Sequence, residues 1–436
     1  MTPLALVQPP PAENLSPLER VEALCDPSSV QLVRGGDGVI GATGNVDGRP
    51  IACFAQDGAY CGGALGEVQA DTIVRVLELA GRARIPVVGF VESAGAQLQE
   101  GVAALSGYGR IFRAHTALSG QVPQISIVCG ASAGGGSYAP ALTDVVVMTK
   151  QASMFLTAPA VVREVTGEEV DGATLGGPRV HERNGVCQIV AESDLDAAWI
   201  VRDLLDYLPQ NASETTPRWP AVAPPRVLPD ATVPDADRRV YDVRDIMRTL
   251  VDGGRALEIN ARWARNIVTA YARLDGHAVG IVANQPRHLG GALNAEAAAK
   301  AARFVNMCDA FGLPLVVLVD TPGFLPGTAQ EAGGVIRHGA KLVHAFAAAS
   351  VPRMTVVLRK AYGGAFIAMN SRELGADLLL AWPRAQLGVM GAARAAEEGV
   401  IDEIVAPSAT RSRLASALRT FSHPARPVRP ARNIPL

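Results

Sequence analysis

Several features that would define a protein class are scarce or missing in this chain of 436 residues. Aromatic residues make up only 5% of the sequence, and the net charge of −2 does not favour nucleic acid as a partner. No apolar run reaches the roughly 18 residues that a membrane-spanning helix needs. The six cysteines form no C-x-x-C pair, which argues against a zinc ribbon or a disulfide framework and predicts a reducing, cytoplasmic location. The first residues also lack the pattern of a secretory signal peptide.

What the sequence does contain is a long internal repeat. A β-branched strand pattern leads into a Gly-Gly pair at Gly134 and again at Gly363. An earlier strand pattern begins after Pro86 and is repeated after Pro314, at nearly the same spacing. A repeat about half as long as the chain indicates a duplicated domain rather than a solenoid. Strands alternate with helices in each copy, which predicts an α/β fold with a largely parallel sheet.

The domain organisation follows from the repeat and from the proline content. Proline-rich, non-periodic sequence over 210–238 predicts a linker between an N-terminal domain, 1–209, and a C-terminal domain, 239–436. Each domain contains an Asp-Gly pair between two β-branched runs, at Asp47-Gly48 and at Asp275-Gly276, and each pair predicts a hairpin. The periodicity predicts helices over 67–83, 97–118 and 134–143 in the first copy and over 295–311, 330–349 and 363–375 in the second.

The two Gly-Gly turns are the first candidate sites. Each turn follows a predicted strand and begins a predicted helix, so it can present adjacent backbone N–H groups to a developing oxyanion. Glycine could instead serve only to pack the helix closely on the strand. The occurrence of the turn at the same position in both copies favours the oxyanion interpretation and predicts one such site in each domain.

Other motifs compete with this interpretation. Ser132 lies in a G-x-S-x-G pattern between a strand and a helix, which is the context of a hydrolase nucleophile. The second copy has no serine at that place, so a serine hydrolase stays an alternative. A G-x-G-x-x-G pattern over 36–41 precedes a hairpin rather than a helix and does not predict a dinucleotide site. Glu92 and Asp320 end buried strands, where capping of the following turn is the simplest interpretation.

Longer motifs connect the sequence with a known family. They are Pro140-Ala141-Leu142-Thr143-Asp144, Gly280-Ile281-Val282-Ala283-Asn284-Gln285-Pro286, Asp320-Thr321-Pro322-Gly323-Phe324-Leu325-Pro326 and Arg359-Lys360-Ala361-Tyr362-Gly363-Gly364-Ala365. In this order they resemble the β subunit of biotin-dependent acyl-CoA carboxylases, the carboxyltransferase subunits of the propionyl-CoA and acetyl-CoA carboxylase type. The resemblance covers roughly residues 15–436.

The resemblance implies two tandem crotonase-like β-β-α superhelical domains. It also implies that N–H groups of the first Gly-Gly turn hold a thioester enolate and that those of the second hold the ureido oxygen of biotin. The implied donors are Gly134, Gly135, Gly364 and Ala365. The implied substrate-binding residues are Ala94, Gly95, Ala96, Gly323, Phe324, Phe366 and Ile367. Among these, Ile367 is expected to line the acyl pocket, although its β-branched side chain could also be ordinary core.

The implied reaction moves CO2 from carboxybiotin to the α-carbon of acetyl-CoA or propionyl-CoA, giving malonyl-CoA or methylmalonyl-CoA. Biotin is expected on a separate biotinylated subunit, because this sequence has neither an Ala-Met-Lys-Met biotinylation site nor a biotin carboxylase domain. The resemblance also implies a homo-oligomer, a hexamer built as a trimer of dimers. A malonyl-CoA or methylmalonyl-CoA decarboxylase of the same fold and a non-catalytic subunit of a carboxylase complex remain alternatives.

The sequence departs from the family pattern in three places. Gln97 stands where the family usually has arginine, and Thr72 stands where it often has lysine, in a helix expected to line the CoA entrance. The loss of two cations predicts weaker binding of the CoA phosphates. A helical insertion that normally follows the motif at 389–392 is missing, which is expected to alter the interface with a partner.

Overall fold

The computed structural model describes residues 15–225, 233–234, 236, 239–421 and 433. Within them the chain forms two compact units that divide between Leu205 and Asp206. Most of the predicted linker therefore groups with the second unit, while its residues 226–232, 235, 237 and 238 lie outside the described residues. Residues 1–14 and most of the C-terminal tail that the family resemblance includes also lie outside them.

The first unit is built on one eight-stranded sheet. Its strands are β1 (Gln31–Arg34), β2 (Val39–Val46), β3 (Arg49–Gln56), β4 (Val87–Ser93), β5 (Gln124–Ala133), β6 (Val145–Thr149), β7 (Ser153–Phe155) and β8 (Ile189–Ala191). Its helices are α1 (Pro17–Leu24), α2 (Glu67–Ala83), α3 (Val102–Leu118), α4 (Gly135–Ala141), α5 (Pro159–Thr166), α6 (Gly172–Gly176), α7 (Pro178–Asn184) and α8 (Asp194–Tyr207). The strand order is β1-β2-β3-β4-β5-β6-β8, and β7 pairs with the end of β5.

The predicted hairpin and helices of this unit are largely confirmed. β2 and β3 are antiparallel and are joined by Asp47 and Gly48, whose φ angles of 49° and 76° are those of a type I′ turn. From β3 to β6 the neighbouring strands are parallel. α2 has the predicted bounds, whereas α3 begins at Val102 rather than at residue 97. The reason is local, because a separate 3-10 turn forms over Leu98–Glu100 and Gly101 then takes a φ of 53°.

The second unit repeats this plan in a nine-stranded sheet. Its strands are β9 (Ala256–Ile259), β10 (Ile267–Leu274), β11 (His277–Asn284), β12 (Leu315–Thr321), β13 (Arg353–Ala361), β14 (Leu378–Ala381), β15 (Gln386–Leu387), β16 (Met390–Gly391) and β17 (Glu403–Ile404). Its helices are α9 (Val243–Leu250), α10 (Ala295–Ala310), α11 (Thr328–Ala332), α12 (Val335–Ala348), α13 (Gly363–Ala368), α14 (Ala392–Glu397) and α15 (Thr410–Phe421). The strand order is β16-β15-β13-β12-β11-β10-β9, with β14 between β13 and β17.

Two predicted helices of the second unit need correction. The helix expected over 330–349 is two helices, because Gly334 takes a left-handed φ of 74° between α11 and α12. The helix expected over 363–375 ends at Ala368. Asn370 has a left-handed φ of 65°, and its side-chain nitrogen donates to Thr355 Oγ1 at 2.9 Å, which fixes the end of the helix. The predicted hairpin between β10 and β11 is confirmed.

Central parallel strands form the core of each unit. Every residue of β6 and of β12 is buried, as expected where helices cover both faces of a parallel sheet. This arrangement explains why both strands are nearly continuous apolar runs in the sequence. None of the helices in the described part of the chain is long and apolar enough to cross a membrane.

Candidate active site

Both Gly-Gly turns connect the end of a central strand to the start of a short helix. The first turn, residues 134–136, joins β5 to α4, and the second turn, residues 363–365, joins β13 to α13. Gly134 and Gly363 occupy corresponding positions, and both have positive φ angles, 55° and 59°. Only glycine takes this conformation readily. The turn leaves the first N–H groups of the following helix without intrahelical acceptors.

The first turn offers a donor pair one position further along than expected. The N–H of Gly134 donates to the carbonyl oxygen of Phe155 at 3.0 Å and is therefore used within the fold. Within the described ranges, the N–H groups of Gly135 and Gly136 donate no backbone hydrogen bond. The internal repeat, which aligns Gly134 with Gly363, pairs these two positions with Gly364 and Ala365. The geometry thus favours Gly135 and Gly136 over the expected pair of Gly134 and Gly135.

The first turn packs tightly against the loop after β4 and against α3. A Cβ atom at Gly135 would lie 2.6 Å from Cδ1 of Tyr108, and one at Gly136 would lie 3.1 Å from Cβ of Ser93. Ser93 Oγ and the Tyr108 hydroxyl are 3.1 Å apart, and the N–H of Gly95 donates to the same Ser93 oxygen at 3.2 Å. Burial raises the pKa of Tyr108 to about 12, so the hydroxyl stays protonated at neutral pH. Glycine is therefore needed at both donor positions for close approach.

The second turn is open. Apart from adjacent residues and the backbone of α13 itself, no heavy atom within the described ranges lies within 4 Å of a Cβ atom placed on Gly363 or Gly364. The N–H groups of Gly364 and Ala365 also have no acceptor in the part of the chain that the structure describes. Ile367 follows on α13 and its side chain is 48% exposed, so the alternative that it is ordinary core is wrong. Phe366 is half-buried.

In each unit a glycine-containing loop lies against the turn. Ala94, Gly95 and Ala96 follow β4, and Gly323 and Phe324 follow β12. A Cβ atom on Gly95 would lie 3.6 Å from the carbonyl oxygen of Ala133, and one on Gly323 would lie 3.9 Å from that of Tyr362. Leu65 and Leu293 anchor the two loops by donating their N–H groups to Gly95 and Gly323, at 2.8 Å and 3.0 Å. The structure therefore brings the expected substrate-binding residues of each copy beside the turn of that copy.

Glu92 and Asp320 do not cap the turns that follow them. Glu92 Oε2 accepts a hydrogen bond from Arg20 Nη2 at 3.0 Å, and Asp320 Oδ2 accepts one from Arg359 Nε at 3.1 Å. Burial raises the pKa of Asp320, while the Arg359 charge acts in the opposite direction. Both carboxylates therefore belong to structural ion pairs. Across the described ranges, no group of His, Cys, Asp and Glu residues could hold a metal ion.

Ser132 is not placed as a nucleophile. It lies inside β5, opposite Met154 of β7, and is fully buried. Its Oγ has no hydrogen-bond partner among the residues that the structure describes. A nucleophile elbow instead exposes the serine at the tip of a strand-to-helix turn. The hydrolase alternative therefore lacks its reactive group.

Two of the three departures from the family pattern, Thr72 and Gln97, have defined contacts in the structure. Thr72 is 2% exposed and donates from Oγ1 to the carbonyl oxygen of Val68 at 3.2 Å, so it does not line an open entrance in this unit. The corresponding residue of the second copy, Lys300, is also buried, and its Nζ donates to three backbone carbonyl oxygens at 2.8–2.9 Å. Gln97 Nε2 donates to the carbonyl oxygen of Ala64 at 3.0 Å.

Sequence reasoning missed Gly136, Ser93 and Tyr108. The repeat could have identified Gly136, because the alignment of Gly134 with Gly363 also relates Gly136 to Ala365. No comparable signal marked Tyr108. It is one of several apolar or aromatic residues on α3, and its contact with Gly135 depends on how α3 packs against α4.

The fold is that of a tandem crotonase-like protein, and each of its two units carries one Gly-Gly turn after a central strand. Comparison with known proteins agrees with this class. A solved structure of transcarboxylase 12S, described as a hexamer assembly with methylmalonyl-coenzyme A and methylmalonic acid bound, matches with a TM-score of 0.92 and 42% identity. The match covers 97% of this chain and 93% of that one.

The sequence comparisons identify the family. The carboxyl transferase domain matches residues 20–415. The chain is 45% identical to the methylmalonyl-CoA carboxyltransferase 12S subunit of Propionibacterium freudenreichii subsp. shermanii, over 91% of this chain and 83% of that subunit. It is 44% identical to the propionyl-CoA carboxylase beta chain of Saccharopolyspora erythraea, over 92% and 84%. The chain belongs to the carboxyl transferase family and is an enzyme of the biotin-dependent acyl-CoA carboxylase β-subunit type, as the resemblance implied.

Proposed function

We propose that this chain transfers a carboxyl group between biotin on a separate carrier subunit and the α-carbon of a short acyl-CoA, with acetyl-CoA and propionyl-CoA as acceptors. One observation supports the assignment most directly. Each unit has two adjacent N–H groups, those of Gly135 and Gly136 and those of Gly364 and Ala365, that donate no backbone hydrogen bond in the described ranges. Carboxyl transfer of this kind develops negative charge on two oxygens, one on the thioester and one on the ureido group. Two preorganised donor pairs fit that requirement.

The first unit is proposed to act on the acyl-CoA. Gly135 and Gly136 would donate to the thioester oxygen as charge develops on it, while Ser93 and Tyr108 keep α4 in position. Each donor of this kind contributes on the order of 3 kcal/mol to transition-state stabilisation. The α-proton of the acyl-CoA would pass to the ureido group of biotin once that group has lost its carboxyl group. No side-chain base is then needed near the turn, in agreement with the structural ion pair formed by Glu92.

The second unit is proposed to receive biotin. Biotin supplies the carboxyl group and a ureido oxygen that accepts hydrogen bonds. The open space around Gly363 and Gly364 fits the approach of a ring to the N–H groups of Gly364 and Ala365. The side chain of Ile367 on α13 is exposed and is therefore available to contact a bound substrate.

We also propose a hexamer with a biotinylated partner. The 12S structure, described as a hexamer, is similar to this chain over 97% of its length. Apolar side chains on α12 and α13 are unusually exposed, including Ile336 at 76%, Val343 at 36% and Ile367 at 48%. Such exposed apolar residues mark interaction surfaces. The six free cysteines fit a reducing compartment such as the cytoplasm.

The half-reaction with free biotin tests the proposal without an identified partner. Purified protein is incubated with malonyl-CoA or methylmalonyl-CoA and biotin, and the acyl-CoA product is measured by chromatography. We expect acetyl-CoA or propionyl-CoA to form only when biotin is present. Ser132→Ala should retain this activity, and the wild-type protein should not react with fluorophosphonate probes at Ser132, because Ser132 Oγ is buried.

Other outcomes would contradict the proposal in distinct ways. Loss of CO2 without biotin would indicate a decarboxylase, and release of free CoA would indicate a thioester hydrolase. No conversion of either substrate by folded protein would support a non-catalytic subunit. Stoichiometric labelling of Ser132 would restore the hydrolase alternative.

A further inference from the structure

A small cavity lies in the first unit directly behind the donor pair. Its volume is about 10 Å³, roughly the space of one water molecule. Most of its lining is apolar and includes Phe54, Leu65, Ile73 and Ile111, although Gln56, His115 and Ser126 also line it. Gly136 of the donor pair forms part of the wall. The cavity is thus continuous in space with the residues that would hold the thioester oxygen.

Tyr108 contacts both this cavity and the donor pair. Its side chain lines the cavity, and its ring packs on Gly135, where a Cβ atom would lie 2.6 Å from Cδ1 and 2.7 Å from Cγ. The hydroxyl is fixed by Ser93 Oγ at 3.1 Å, and the ring contacts Phe112 with centroids 5.9 Å apart. The ring is 4% exposed and is held at both ends.

We propose that Tyr108 determines specificity by closing an apolar pocket and so restricts the enzyme to short acyl chains. The inference rests on the proposed function of the first turn. A thioester oxygen held by the N–H groups of Gly135 and Gly136 places the first acyl carbons beside these glycines, and the Tyr108 ring is the wall that they meet. Ile73 and Ile111 line the cavity together with Tyr108, so removal of the ring would open their side chains to a longer acyl chain.

Truncation of the ring tests the proposal against a matched control. Tyr108→Ala removes the wall, Ile111→Ala enlarges the same cavity behind an intact wall, and Tyr108→Phe removes only the hydroxyl. Affinities for acetyl-, butyryl-, hexanoyl- and octanoyl-CoA are measured by calorimetry for each variant, together with kcat/KM in the biotin half-reaction for the corresponding 2-carboxyacyl-CoA.

We expect Tyr108→Ala to gain affinity for longer chains relative to acetyl-CoA, up to about fourfold for each methylene that the opened pocket accepts. Ile111→Ala and Tyr108→Phe should keep the acyl preference of the wild type. Loss of a buried ring is destabilising, so Tyr108→Leu provides a second variant if Tyr108→Ala does not fold. Circular dichroism and the thermal midpoint establish folding for every variant.

An unchanged acyl preference in a folded Tyr108→Ala or Tyr108→Leu protein would overturn the proposal. An equal gain in Ile111→Ala would overturn it as well, because the cavity rather than the Tyr108 wall would then limit chain length. Failure of the proposed function is distinguishable from both results. In that case the wild type would transfer no carboxyl group to biotin, whereas the binding measurements would still report on the pocket.

Discussion

Gly364→Pro removes one proposed oxyanion donor without disturbing the fold. Proline lacks an N–H group and is tolerated in the first turn of a helix, where that N–H has no intrahelical partner. Gly364 lies in the first turn of α13, and its φ is outside the left-handed region. Apart from adjacent residues and the backbone of α13, no heavy atom of the described residues lies within 4 Å of its Cβ position. The substitution therefore removes one donor and places its Cβ in open space.

The expected magnitude follows from the loss of a single donor. Removing one oxyanion donor costs about 2.7–4 kcal/mol, which corresponds to a fall in kcat of roughly 10²–10³-fold. The KM for the CoA thioester should stay close to the wild-type value, because the first turn is unchanged. The assay is the biotin half-reaction, with the thermal midpoint measured in parallel. Gly364→Ala is the matched control, since it retains the N–H and places its Cβ in open space.

Two results would refute this reasoning. A folded Gly364→Pro protein with kcat close to that of the wild type would show that the Gly364 N–H does not stabilise the transition state. An equal loss in Gly364→Ala would show that bulk at this position matters, rather than the donor.

Two further predictions concern a buried histidine and the acyl pocket. Burial lowers the pKa of His115 to about 4, and its Nδ1 lies 2.8 Å from Gln124 Oε1. Because the unfolded state binds the proton near pH 6.5, stability should fall by up to about 3 kcal/mol between pH 6.5 and 4. His115→Gln should flatten this part of the urea-unfolding profile, and an unchanged slope would contradict the assignment. Ile367→Asp should change the ratios of kcat/KM among acetyl-, propionyl- and butyryl-CoA. The thermal midpoint should not change, because Ile367 is half-exposed. Identical ratios in the variant and the wild type would exclude Ile367 from the acyl pocket.

The repeat made most of the fold predictable. A nearly constant spacing between the two copies relates the two hairpins, the two anchored loops and the two turns, and the structure has the same pairs. These features depend on local chemistry: Asp-Gly pairs select the hairpin turn, and positive φ angles select glycine. The bounds of α2 were predicted to the residue, because the helical spacing of its apolar residues is confined to Glu67–Ala83.

The remaining details depend on contacts between distant segments. Gly134 loses its free N–H because β7, a strand of three residues, pairs with the end of β5. So short a strand has no periodicity that a sequence pattern could show. Glu92 is paired with Arg20, which is 72 residues away in the sequence. No local signal could have separated this ion pair from a turn cap.

The two copies of the turn have diverged in what surrounds them, and the difference matches their proposed substrates. A Cβ at Gly135 would meet the Tyr108 ring, whereas one at Gly364 would meet nothing within 4 Å among the described residues. A thioester oxygen is attached to a flexible acyl chain, so a wall beside the donors restricts which chains fit. A bicyclic ureido ring is rigid, so open space is enough for its oxygen to reach the donors. The duplication thus supplied two similar donor pairs, and packing around each pair can select its substrate without any change to the N–H groups that stabilise charge.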